Sequence, residues 1–317
     1  INRNQTIDAL ERYEGMRVAL GSLLTTGPDE GPIVEANATS SANGNFWGAP
    51  SNVGRPFREA GIGALDVTPI PGGVTPPRFD TNPERSRVQS TGQVGAPVIA
   101  VDANAFIDGL RGVLDYGFGA YTLLPDPDAP VTITGGAVPR AVTDPRADQI
   151  TIAGFNLPRF FDDVNDAGGD VQLTTLAFER RLAKTAKAIC QYVRAPDILG
   201  VVEVENLNAI SRLAAAINDR ASSGCPRDTQ YVAQLVPGND VGNINIGFLV
   251  RSVEVRAGVP RVQIVEVTQL GKTDTDLNPN GTTSLLNDRP PLVLRAVVNQ
   301  ADGGSFPVTV IGNHLRS

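Results

Sequence analysis

Asp197-Ile198-Leu199-Gly200-Val201-Val202-Glu203-Val204-Glu205-Asn206 is the stretch whose reading decides the fold. Its continuous apolar run is too short for a helix, rich in β-branched residues, and bounded by Pro196 and Asn206. It reads as a largely apolar strand. Period-two geometry places Glu203 and Glu205 on one face of it. Upstream, Thr174–Ala195 reads as an amphipathic helix, with Leu182, Ala186, Ile189 and Val193 on one side and Arg180, Lys184 and Lys187 on another. Pro196 is expected to end it. Downstream, Leu207–Ser222 reads as a second helix with Ile210, Leu213, Ala214 and Ile217 inward.

The alternation extends outward. Ile150–Asn156 reads as an earlier strand ending at Phe155-Asn156, and Gln230–Val236, Asn243–Arg251, Val262–Val267 and Leu292–Val298 as later ones. In Phe306–His314 the residues Phe306, Val308, Val310, Gly312 and His314 share one face. The region 149–317 is therefore expected to be α/β. Residues 1–135 read differently, as an all-β domain of short runs (Arg17–Leu20, Pro32–Ala36, Pro97–Val101, Val131–Thr134) after an opening turn at Asp8–Glu14. Irregular stretches at Asn37–Arg55 and Asp66–Arg85 separate these runs, so a small barrel with long loops is expected. Residues 136–148 have the composition of a linker.

Composition narrows the function classes. The hydrophobic share is 41% and the charged share 19%, as in an ordinary globular protein. No run approaches the roughly 18 apolar residues of a membrane span. A net charge of −7 argues against unaided, charge-driven DNA binding, so a nucleic-acid enzyme here would need bound cations or a locally basic groove. Cys190 and Cys225 are the only cysteines. Joined, they would stabilise the fold by roughly 3–4 kcal/mol on the chain-entropy account; as an unlinked pair they would be small apolar residues, and the sequence favours neither. The single Met, the few Lys and the abundance of Asp, Asn, Thr and Gly lean towards secretion.

Candidate chemistry sits where the apolar patterns stop. Glu203 lies at the tail of its strand, the end where α/β folds place ligands. Asn156 ends another strand, Arg289 precedes Pro290-Pro291 at the entry to a third, and His314, the only histidine, follows a fourth. Taken singly, each has a plainer reading: a solvated strand end, a turn-making Asn, a surface Arg, a hydrogen-bonded structural His. Together, Asn and Glu oxygens suit Mg²⁺, or Mn²⁺ or Ca²⁺. Arginine would stabilise a pentavalent phosphate and histidine would move a proton.

Gly154-Phe155-Asn156, Gly200–Asn206, Ile246-Gly247-Phe248-Leu249-Val250, Arg289-Pro290-Pro291-Leu292 and Asn313-His314-Leu315-Arg316-Ser317, in this order, resemble the endonuclease/exonuclease/phosphatase superfamily. That is the four-layer DNase I-like sandwich, and the likeness is to bacterial extracellular nucleases of the ExeM and NucH type. Leu10–Met16, Arg78–Arg85 and Gly112–Gly119 look like the OB-like β-rich domain that precedes the nuclease domain there. The resemblance implies that Glu203 and Asn156 hold a divalent metal, that Arg289 and Asn313 contact phosphate, and that His314 is a general acid. It further implies a secreted, bacterial, monomeric nuclease acting on DNA or RNA, with no membrane partner.

Two departures follow. The family often has Tyr where this chain has Val250. Gly-Asp-x-Asn and Asp-His motifs are expected beyond Ser317 and a signal peptide before Ile1, so the chain is expected to be the first part of the nuclease domain and inactive alone. A phosphoesterase of the same fold acting on a lipid or small molecule is one alternative, since a fold does not fix a substrate. A non-catalytic secreted binding module is another, with Val250 as its internal support.

Overall fold

In the computed structural model, residues 1–2, 5–53, 83–166 and 171–315 are described. The chain divides into two compact units, Ile1–Ile33 with Thr39–Val138, and Val34–Ala38 with Pro139–Ser317. One boundary, between Val138 and Pro139, falls inside 136–148, whereas Val34–Ala38, read as part of the first domain, belongs to the second unit.

The first unit is built on an eight-stranded sheet. In spatial order its strands are Arg17–Ala19, Arg111–Gly117, Ala120–Pro125, Ser86–Gln89, Asn45–Pro50, Ser22–Thr25, Ala105–Asp108 and Thr132–Gly135. Every pairing is antiparallel except Ser86–Gln89 with Ala120–Pro125. Among the described residues the order has two ends and does not close. Leu23, Phe46, Val88, Ile107 and Leu123 alternate inward from neighbouring strands into one core with Ile99, Val101 and Leu110. Pro97–Val101 is not a strand, although Ile99 and Val101 are buried as its pattern required. Asn45–Pro50 is a strand inside a stretch read as irregular. The opening turn is a 3₁₀ turn at Glu11–Tyr13, and Ile33–Val34 is all of Pro32–Ala36 that is extended. The motif residues Arg78–Asn82 lie outside the described residues.

The second unit is layered. Ile152–Phe160, Ile198–Val204, Asn245–Arg251 and Tyr231–Leu235 form a four-stranded sheet in that order. The first two strands run parallel, joined through the helix Thr175–Gln191, and the rest are antiparallel. That helix and Leu207–Asn218 cover one face: Phe178, Ile189, Ile210, Leu213 and Ile217 meet Leu199, Val201 and Leu249. A three-stranded antiparallel sheet of Val262–Gln269, Leu292–Asn299 and Ser305–Gly312 covers the other, with Leu292, Leu294 and Val298 against Ile198, Ile246 and Phe248. Each fully buried side chain of this size contributes about 1.5–3 kcal/mol. Val201 faces the helices and Ile198 the second sheet, which is why the run reads as unbroken apolar.

Thr174 and Asn206 cap the two helices, accepting from the N–H groups of Ala177 and Ala209. The first helix stops at Gln191, short of Pro196, because Arg194 and Ala195 turn left-handed with φ of +63° and +47°. Leu207–Ser222 is interrupted at Asp219, between Leu207–Asn218 and Arg220–Ser223. Cys190 and Cys225 form a disulfide spanning 35 residues, tying the end of the first helix to the chain after the second. Among the described residues no helix is long and apolar enough to cross a membrane.

Candidate active site

Glu203 is the pivot. The Ile198–Val204 strand pairs Val202 with Ile246 and then Val204 with Asn245, so Glu203 forms a bulge with φ of +64°. The bulge breaks the alternation that put Glu203 and Glu205 on one face. Glu205 is buried and accepts from the Asp162 N–H at 2.7 Å. Glu203 turns the other way, to Asn156. The Asn156 Nδ2 donates to Glu203 Oε1 at 3.0 Å, and the Arg159 N–H donates to Oε2 at 3.0 Å. Asn156 does not end its strand, which runs to Phe160 through a second irregularity.

The second sheet delivers the other two groups. Leu292 pairs with Gly312, so Arg289, just before Leu292, and His314, just after Gly312, emerge at the same end. Gly312 permits this closeness, because a Cβ there would lie 2.7 Å from Ile246 Cγ2. His314 Nε2 lies 3.5 Å from Glu203 Oε1 and 3.3 Å from Arg289 Nη1. Arg289 is held by a residue that carried no sequence signal, Asp240, whose Oδ2 accepts from Arg289 Nε at 2.7 Å. Asp240 Oδ1 accepts from the Gly242 N–H at 2.8 Å. The side chains of Glu203, His314, Arg289 and Asp240 are between 12% and 22% exposed, shielded yet reachable.

Electrostatics define the resting state. Burial pushes the Glu203 carboxyl up, but Asn156, the Arg159 N–H, His314 and Arg289 outweigh it and hold it below the usual carboxylate range. Asp240 is held low in the same way, burial being outweighed by Arg289 and the Gly242 N–H. Burial and the Arg289 guanidinium lower His314, against the pull of Glu203 and Asp240. A neutral imidazole with Nε2 accepting from Arg289 carries its proton on Nδ1, which is buried and lacks a hydrogen-bond partner.

Asn156, Glu203, Arg289 and His314 thus come together as the sequence suggested. Asn313 is exposed, while Gly312 and His314 on either side are partly covered. Val250 stands elsewhere: it pairs with Ile198, at the strand end away from Glu203, and is wholly buried in the core between the sheets. A missing hydroxyl at that buried position says nothing of a decayed site. Asp240 and Arg159 are the additions. Arg159 could have been suspected, since it follows Asn156 within the same strand end.

Among the described residues no three His, Cys, Asp or Glu side chains gather into a group that could hold a metal ion. A cation here would meet one carboxylate, Glu203, and the Asn156 carboxamide, whose oxygen a half-turn would bring beside Glu203 Oε1. Mg²⁺ accepts so few protein ligands because it keeps waters and phosphate oxygens, so the donor set fits it. Comparisons of the chain with protein-family models, with curated proteins and with solved structures find no match.

Proposed function

We propose that the protein is a divalent-metal-dependent phosphodiesterase acting on nucleic acid, DNA or RNA. One observation carries the reading. Side chains from four separated segments, Asn156, Glu203, Arg289 and His314, converge within hydrogen-bonding or ion-pair distance at one end of the two packed sheets. The cluster pairs Arg289 with Asp240 and sets His314 beside Glu203, and none of the four is wholly buried. Here a carboxylate, an imidazole and a guanidinium remain reachable, which suits a phosphate ligand.

The roles follow from the chemistry of each group. A bound metal would act as a Lewis acid on the phosphoryl oxygen. Glu203 and Asn156 would hold it. Arg289, steadied by Asp240, would face the extra negative charge of the five-coordinate phosphate. His314, neutral at rest, would take up a proton at Nε2 from the attacking water and then pass it to the leaving oxygen. The helix, sheet and sheet layers of the second unit support the first part of a DNase I-like sandwich as its fold, and the β-rich unit would be an accessory domain. The Cys190–Cys225 disulfide supports an oxidising, extracellular setting.

Plasmid nicking by the protein expressed from its complete reading frame tests the reading. With Mg²⁺ the wild type should nick and EDTA should stop it. Glu203→Gln should abolish nicking with the fold retained, and His314→Ala should slow it about 10²–10⁴-fold. Wild-type nicking by Glu203→Gln would refute the assignment.

A further inference from the structure

The bulge that frames Asn156 also aims a side chain the nicking chemistry does not use. Between Asn156 and Phe160 the strand loses register with its neighbour, and there Arg159 takes φ of +47°. A long side chain holds that conformation only where its surroundings over-determine it. The Arg159 N–H is fixed on Glu203 Oε2 at 3.0 Å. Its guanidinium lies over the Phe161 ring, 4.8 Å from the centroid, and grips Glu35 through Nε and Nη2. Glu35 lies in Val34–Ala38, part of the same compact unit. Next to it Arg181 donates to the Pro158 carbonyl and lies over Phe160. Two guanidinium groups therefore lie near one carboxylate, Arg159 paired with Glu35 and Arg181 within its electrostatic reach.

A two-pronged arginine–carboxylate contact has the geometry of an arginine–phosphate contact. The Arg159 and Glu35 side chains are 45% and 32% exposed. Ion pairs this exposed add little to stability, so an incoming anion can replace the carboxylate at small loss.

We propose that Arg159 is a second phosphate-contacting residue and that Glu35 holds its place in the free protein. The site would then take a phosphodiester chain carrying neighbouring phosphates, not an isolated phosphoester. This rests on the function proposed above. One phosphate would lie at Arg289 and His314 and the next at Arg159. Displacing Glu35 would free Arg159 and Arg181 as a locally basic edge, which the net charge of −7 otherwise denies.

Anisotropy of a fluorescein-labelled DNA duplex, in EDTA and over a salt series, measures binding apart from cleavage. Asn tolerates the left-handed backbone, so Arg159→Asn should fold, with an unchanged melting curve as the control. Its Kd should rise about 10-fold and its log–log salt slope should flatten by about 0.9. Glu35→Gln should tighten binding by up to about 5-fold. Wild-type Kd and slope in both variants would overturn the inference. Arg159-dependent binding without nicking would sink the hydrolytic reading alone. Nicking with a wild-type KM in both variants would sink the inference alone. Neither binding nor nicking by the wild type would end both.

Discussion

The second unit should be most sensitive to Asp197, far from the candidate site. Asp197 is wholly buried at the start of the Ile198–Val204 strand. Arg261 donates to it twice, Nε to Oδ1 at 2.9 Å and Nη2 to Oδ2 at 2.9 Å, and Arg251 Nη1 lies 3.3 Å from Oδ1. The Thr151 N–H adds a bond at 2.9 Å. Arg261 also donates to the carbonyls of Asn299 and Gln149, so one carboxylate ties both sheets together. Asp197→Asn keeps the volume and removes the charge, leaving Arg261 buried without a counter-ion. Breaking such a pair costs about 3–5 kcal/mol. At about 2–4 °C per kcal/mol for a unit of this size, Tm should fall by roughly 6–20 °C. Thermal unfolding followed by circular dichroism at neutral pH reads this. A shift under about 2 °C would refute the reasoning. Burial raises the Asp197 pKa, but Arg261 and the Thr151 N–H outweigh it, so the net shift is downward. Its contribution is therefore fully present above the unfolded value of about 3.9 and is lost as pH falls through the folded pKa. The gap between wild type and Asp197→Asn should close only below about pH 4.

Removing the disulfide with Cys190→Ser and Cys225→Ser should cost about 2–5 kcal/mol, read by urea unfolding. An unchanged midpoint would show that the bond does not form in solution. Asp240→Asn should leave Tm nearly unchanged while lowering the rate roughly 10- to 100-fold by freeing Arg289. A wild-type rate would return Asp240 to a surface loop anchor.

The layered half of the fold was legible in the sequence because its elements are long and their apolar periods clean. The Ile198–Val204 run and the Ile210-Leu213-Ile217 stripe bury as read, while the alternation through Val308, Val310 and Gly312 is half-buried and Phe306 at its start is exposed. The first unit was less legible for the opposite reason. Strands such as Ser86–Gln89 and Ala105–Asp108 hold only two inward side chains each, too few to stand out from the Gly-, Pro- and Asp-rich turns around them. Helix ends also misled. Proline marks where a helix must have stopped, whereas the left-handed turn at Arg194 and Ala195 stops this one earlier without a glycine to announce it.

The candidate site shows the same split between what pattern encodes and what packing decides. Asn156, Glu203, Arg289 and His314 could be singled out because each interrupts an apolar pattern at a strand end, where a polar group must face something other than the core. The geometry of their meeting could not be read, because it depends on two bulges held by tertiary contacts. At Glu203 the strained φ is fixed from both sides. The Glu205 N–H bonds the Phe160 carbonyl at 3.2 Å, and Asn245 Nδ2 bonds the Glu205 carbonyl at 2.6 Å. Glu205, the buried carboxylate, thus anchors the backbone that lets Glu203 leave the sheet. Of two glutamates that strand periodicity makes equivalent, one braces and the other faces the site, and a single extra residue in the strand separates the roles.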